Sequence, residues 1–137
     1  MNAKQIAVVQ STFEKVHPLS DTTAEMFYNR LFELDPSVQA LFTGDMQEQG
    51  RKLMRMIGLA VRSLHRLETL VPAVQGLGIR HVSYGVQHEH YDTVGAALLW
   101  TLEQGLGKDF KPEVKEAWAE AYHLLTDVMK EAAVAVH

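Results

Sequence analysis

Residues 70–91 read LVPAVQGLGIRHVSYGVQHEHY. Within this stretch Leu70, Val74, Leu77 and His81 are spaced four, three and four apart, which on a helix makes one stripe ending in an imidazole. The spacing predicts that His81 points inward. Gly76 and Gly78 carry no Cβ on the turns leading to it. Each weakens the helix by about 1 kcal/mol relative to Ala, but lets something bulky approach the backbone. Such a histidine is either a core residue with a hydrogen-bond partner or a metal ligand, and the remaining residues decide which.

The chain has 137 residues, enough for one domain over 1–137 that buries about two-thirds of its unfolded surface and has room for a cofactor slot. It contains no Cys, so a transition metal has to be held by His, carboxylate or a prosthetic group, and a reducing cytoplasm is the expected location. The first residues, MNAKQIAVVQSTFEKV, have neither a signal-peptide core nor an apolar run long enough to span a membrane, so a soluble protein is expected. The net charge is −4, with Lys and Arg dispersed. Arg51, Lys52 and Arg55 are too few to form a basic stripe, which argues against nucleic acid as a partner.

Apolar residues recur at helical spacing along the whole chain. Ile6, Val9, Phe13 and Val16 predict a first helix over Ala3 to Val16, ended by His17-Pro18. Thr22 and Glu25 fit a capping box for a second, which carries Phe27, Leu31 and Leu34, with Tyr28 at the edge of the apolar face. A phenol there reaches the core only if its hydroxyl finds a partner. Asp35-Pro36 reads as an N-cap followed by Pro at the first position of a short helix ending at Leu41-Phe42. Gln49 heads the stripe Leu53, Ile57, Ala60 and Leu64, while His65 falls outside it and is expected to be exposed. After His81, Gly85 breaks the pattern and Val86 to Glu89 read as a corner. Tyr91, Val94, Leu98 and Leu102 form the inner face of the next helix. Pro112 opens the last, with Val114, Trp118, Ala121, Leu125, Val128 and Ala132 repeating for nearly six turns. All four prolines are thus expected at helix edges. With no period-2 strand and no long repeat, the fold class is all-α, with six to seven helices.

Other chemistries lack their residues. Gly76-x-Gly78 has His81 where a dinucleotide fingerprint needs its third glycine, and no strand precedes it. The rings of His88 and His90 diverge by about 200 degrees on a helix, so surface positions are expected rather than a metal clip. There is no Gly-x-Ser-x-Gly elbow, no Cys nucleophile, and no carboxylate pair facing an apolar pocket. What remains is an inward imidazole opposite a helix headed by Gln49 and Leu53, with Tyr28 and Phe42 nearby. A buried planar cofactor needs such a setting, and haem fits it. Its iron requires one strong axial ligand, an open position opposite, apolar edges, and hydrogen-bond donors where dioxygen accumulates negative charge.

The motifs MFYNRLFELDPSVQALF from Met26, QGRKLM from Gln49, LGIRHVSYGV from Leu77, HYDTVGAALL from His90 and EAWAEAY from Glu116 make the chain recognisable. It resembles the bacterial single-domain globins, relatives of the haem domain of flavohaemoglobins, over nearly its whole length. The resemblance implies a globin fold holding haem b (iron protoporphyrin IX), with His81 as the proximal iron ligand. It also implies Tyr28, Gln49 and Leu53 on the distal side, and Phe42, Leu77, Val86, Tyr91 and Leu98 packing on the porphyrin. Lys52 is either a contact to a haem propionate or an ordinary solvated lysine.

One position departs from the family pattern. Flavohaemoglobin-like members place a glutamate of the last helix against the proximal histidine and the tyrosine matching Tyr91, increasing the imidazolate character of the ligand. Here Ala133 stands there, and Glu131 points elsewhere on the helix. The implied function is reversible binding of dioxygen and other diatomic ligands such as nitric oxide and carbon monoxide, by a monomer or weak dimer. The alternatives are a nitric oxide dioxygenase served by a separate reductase, and a haem-based gas sensor.

Overall fold

The computed structural model describes residues 1–42, 44–83 and 85–135, and in these every regular element is helical. Six α-helices follow in order: α1 Ala3–Val16, α2 Ser20–Leu34, α3 Met46–Arg62, α4 Leu67–Ser83, α5 His88–Leu106 and α6 Pro112–Ala135. Short 3-10 turns join α1 to α2, α2 to α3, α3 to α4 and α5 to α6. The expected first helix has the observed bounds. Asn2 caps it by accepting from the Gln5 amide, and the Gln5 side chain returns to the Asn2 amide.

Three local expectations are corrected. The capping box at Thr22 does not form: α2 starts at Ser20, whose hydroxyl bonds the His17 carbonyl, so Thr22 and Glu25 lie inside the helix. Pro72 is not at an edge. Because α4 begins at Leu67, three residues before the apolar stripe, Pro72 falls within its second turn and removes one backbone bond, to the Glu68 carbonyl. The corner before α5 is also shorter than expected. Gln87 is the N-cap and its amide donates to Nδ1 of His90, so the helix already runs from His88.

Two apolar clusters divide the interior. One gathers Val9, Phe13, Val16, Met54, Leu102 and Trp118 from α1, α3, α5 and α6; the other gathers Phe27, Tyr28, Leu31, Val38 and Ala97 beneath the α2–α5 contact. α3 rests on α2 and α1, whereas α4 rests mainly on α6. The helices carrying Gln49 and His81 therefore have different supports.

Gly78 explains the seat of α4. A Cβ there would lie 2.5 Å from the carbonyl oxygen and 2.7 Å from the Cα of Met129, so bulk does approach this glycine, but as the backbone of α6. Gly76 meets only the Arg80 guanidinium, 3.5 Å away, and its lack of a side chain serves no comparable contact. Gly78→Ala gains about 1 kcal/mol of helix propensity. Pushing two main chains apart costs about 1–3 kcal/mol or more, and the net effect is a loss because neither backbone can rotate away. Urea denaturation should show Gly78→Ala less stable than the parent and Gly76→Ala as stable or more so. Equal midpoints for Gly78→Ala and the parent would contradict this account of the crossing.

Candidate functional site

His81 lies in the last turn of α4, half-buried, with Nδ1 2.8 Å from the Leu77 carbonyl oxygen. A carbonyl can only accept, so Nδ1 carries the proton. In the neutral ring Nε2 then carries the lone pair that a metal requires. Burial lowers the His81 pKa, the bond to Leu77 opposes that, and the adjacent Arg80 lowers it further. A lowered folded-state pKa means that the unfolded chain binds the proton more readily. The stability held by neutral His81 is present above its ordinary value of 6.5 and is lost as pH falls through and below it.

The ring is held on one side by Tyr91, stacked at 6.4 Å between centroids with 19° between planes. Tyr91 is buried, and burial raises its pKa. Its carbonyl accepts a 2.5 Å bond from the hydroxyl of Tyr122, which pins α6 to α5 at the residue supporting His81. Lys130 holds its ammonium 5.6 Å from the Tyr91 ring centroid. The roles of Tyr122 and Lys130 were not legible in the sequence. Tyr122 ends the EAWAEAY motif, but only the fold brings its hydroxyl to a backbone carbonyl on α5.

Elsewhere in the fold, α2 and α3 bring Tyr28 and Gln49 together. Tyr28 is 7 % exposed, and its hydroxyl does find a partner, the Gln49 carbonyl at 3.4 Å, a long bond that is easily given up. Burial pushes its pKa up to about 12, so it stays a protonated donor at any physiological pH. Gly50 permits this closeness, since a Cβ there would lie 2.9 Å from the Ala24 Cβ and 4.0 Å from the Tyr28 ring. Phe42 and Phe32 surround the phenol, Phe42 edge-on at 5.2 Å and Phe32 stacked at 6.1 Å. Phe32 had no assigned part in the sequence reading, although its spacing of four from Tyr28 on one helix is the signal that places it there.

The remaining expected residues divide by exposure. Phe42, Leu53 and Leu98 pack on the Tyr28 cluster yet stay partly exposed, as do Leu41 and Val94 beside them. Leu77 and Val86 are half-buried. Partly exposed apolar side chains contributed by several elements are what a flat apolar group would cover, so these residues fit a porphyrin. Lys52 is solvent-exposed, 4.0 Å from Glu48 on its own helix. His65 and His88 are exposed, and His90 is half-buried in its cap. Among the described residues no three His, Cys, Asp or Glu side chains cluster to hold a metal ion.

Ala133 is buried, and Glu131 is exposed. A cavity of about 470 Å³ lies beside Ala133, lined also by Val82, Gly85, Val86, Gln87, His88 and Tyr91. No helix among the described residues is long and apolar enough to cross a membrane.

Comparison with known proteins agrees with this architecture. A family model described as Globin matches residues 25–129. Flavohemoproteins are similar in sequence: that of Xylella fastidiosa strain Temecula1 is 33% identical over 129 residues, covering 92% of this chain and 32% of that protein. The Rhodopirellula baltica flavohemoprotein is 32% identical over 131 residues, covering 93% and 32%. The chain thus spans about a third of the length of these curated relatives. Among solved structures, a candidate nitric oxide dioxygenase from Rhodothermus marinus, engineered as a carbene transferase, superposes with a TM-score of 0.89 at 24% identity, covering 99% of this chain and 95% of that one. A bacterial globin from Campylobacter jejuni superposes with a TM-score of 0.85 at 24% identity, covering 98% of each chain. With a family model matched over most of its length and the corresponding all-helical fold, the chain belongs to the globin family, a haem-binding family.

Proposed function

We propose that the chain binds haem b with His81 as the proximal iron ligand and reversibly takes dioxygen, nitric oxide or carbon monoxide on the side of Tyr28, Gln49 and Leu53. The observation that carries this reading is the bond from Nδ1 of His81 to the Leu77 carbonyl, which orients the imidazole and leaves its lone pair on Nε2. When bound, haem would supply an iron held by His81 and able to take up a diatomic gas. Tyr91 restrains the plane of the His81 ring, and Leu77, Val86 and Leu98 shield the site from water. Tyr28 offers a hydroxyl proton to a ligand that takes on negative charge, at the cost only of its long bond to Gln49. Gln49 is half-buried in the first turn of α3. Lys52, exposed on the next turn and 4.0 Å from Glu48, would meet a propionate at the solvent edge.

The test is the absorption spectrum of the haem-loaded chain in ferric, ferrous, oxygenated and carbon monoxide forms. A histidine-ligated ferrous spectrum that converts reversibly under dioxygen is expected. Failure to load haem, or immediate oxidation without an oxygenated form, would overturn the reading. The same reading has the protein working in the cytoplasm, as a monomer or weak dimer.

The Rhodothermus marinus neighbour favours a second reading, nitric oxide dioxygenation with electrons from a separate reductase. Mixing the oxygenated protein with nitric oxide and measuring nitrate tests it. Ala133 bears on how fast any redox turnover runs. No carboxylate at that position reaches the Tyr91–His81 pair, so peroxidase activity should be weak. The adjoining cavity leaves room for a longer side chain, and Ala133→Glu should raise the peroxide reaction rate severalfold. A parent rate equal to that of a dedicated haem peroxidase would contradict this.

A further inference from the structure

Two different partners share the ring of Tyr91. The His81 imidazole stacks on it, with 6.4 Å between centroids and 19° between planes, and the Lys130 ammonium lies 5.6 Å from the same centroid. Both separations are within the reach of their interactions, about 7 Å for stacked rings and about 6 Å for a cation over a ring. One helix fixes the geometry, since Tyr122 and Lys130 both belong to α6, the first bonding the Tyr91 carbonyl and the second supplying the charge. Lys130 is half-buried, so its stem runs along the protein before the ammonium meets the ring. Among the described residues no carboxylate forms an ion pair with it. Asp92, Asp127 and Glu131 are exposed, where water and salt screen them. Ala133, on the next turn of α6, is buried and brings no negative charge. The field beside Tyr91 is therefore positive on balance.

We propose that Lys130 is a positioning residue for the proximal ligand, a cation that acts on His81 through the Tyr91 ring and favours the ferrous state of a haem iron held there. The inference rests on the haem reading above. Its sign follows from electrostatics. A positive charge is repelled more strongly by ferric than by ferrous iron, and ring electrons drawn towards the ammonium are less available to the imidazole stacked on the same ring. His81 has no way to compensate by giving up its proton, because Nδ1 donates to the neutral carbonyl of Leu77 and not to a carboxylate. Dioxygen binds ferrous iron, so the cation holds the protein in the state that the proposed function requires.

Spectroelectrochemical titration of the full haem-loaded chain tests this, on the parent, Lys130→Met and Lys130→Arg at low ionic strength. Met keeps much of the stem without the charge, and Arg keeps the charge. Lys130→Met should lower the midpoint potential, so that at one fixed ambient potential the ferrous-to-ferric ratio falls by roughly threefold or more. Lys130→Arg should restore the parent value. A side chain that only packs would change thermal stability and leave the potential where it was. Equal potentials in the parent and Lys130→Met, or an equal fall in both variants, would overturn the inference. A second readout needs no haem: in proton NMR of the haem-free chain the Tyr91 ring current should shift the Lys130 methylene protons next to the ammonium upfield, and Tyr91→Leu should remove the shift. Protons at their ordinary position in the parent would overturn the contact on which the inference stands. A chain that takes up no haem refutes the function proposed above and this inference with it, whereas haem uptake with an unmoved potential in Lys130→Met removes this inference alone.

Discussion

His81→Ala is expected to abolish stable haem binding while leaving the helical fold in place. In the folded chain the His81 side chain makes a bond to its own helix and a stack on Tyr91, neither of which carries the α4–α6 packing seated at Gly78. The far-ultraviolet circular dichroism of the variant should therefore match that of the apo parent. What disappears is the axial ligand. A ligand that binds only the folded state raises stability by about 2.7 kcal/mol at a concentration one hundred times its Kd, so haem should raise the melting temperature of the parent and barely move that of the variant. Added imidazole should restore part of the binding by replacing the missing ring. Stoichiometric haem retention with an unchanged ferrous spectrum in His81→Ala would remove the central residue of the proposed site.

Tyr28→Phe should speed dioxygen dissociation by roughly ten- to a hundredfold, because a hydrogen bond to a charge-bearing acceptor contributes about 1.5–3 kcal/mol. Carbon monoxide takes on little charge and should dissociate at nearly the parent rate. The phenol is well suited to this part. It is buried, remains protonated, and is held by Phe32 on its own helix and by Phe42 just after the 3-10 turn Pro36–Leu41. Gln49→Leu should act in the same direction more mildly, since a half-buried amide with several rotatable bonds loses more entropy when it is positioned. The double variant should show less than the sum of the two effects, as both side chains act on one ligand. Stopped-flow displacement and flash photolysis on the three variants provide the measurement. Unchanged dioxygen release in Tyr28→Phe would leave that residue as a packing tyrosine bonded to the α3 backbone.

Much of this architecture is legible in the order of residues, for identifiable reasons. The helical period is strong wherever a helix has one apolar face, so α1 is read to its exact ends and the stripe through Leu70, Val74 and Leu77 leads to His81. Helix starts are less legible. Thr22 and Glu25 have the right types and spacing for a capping box, but α2 follows the 3-10 turn at His17–Leu19 without an extended residue to act as the cap. Pro72 was misplaced because the first turn of α4 lies outside the apolar stripe, so periodicity did not reveal it. At the site, residue identity pointed to Tyr28 and Gln49 but not to the bond between the phenol and a backbone carbonyl. Contacts of that kind depend on how closely two helices cross. The closeness of α2 and α3 is set by Gly50 against Ala24, and that of α4 and α6 by Gly78 against Met129.

Those two crossings are set by different glycines, so the two walls of the proposed slot have separate seats. Tyr28 and Gln49 belong to one pair of helices, and His81 to another, with its own glycine seat. Under the proposed assignment, a change that retunes gas release on the first pair would not have to disturb the grip of the second on the iron. Ligand preference can thus drift over many substitutions while cofactor retention is kept, which gives this small fold room to acquire new gas chemistry without first losing its haem.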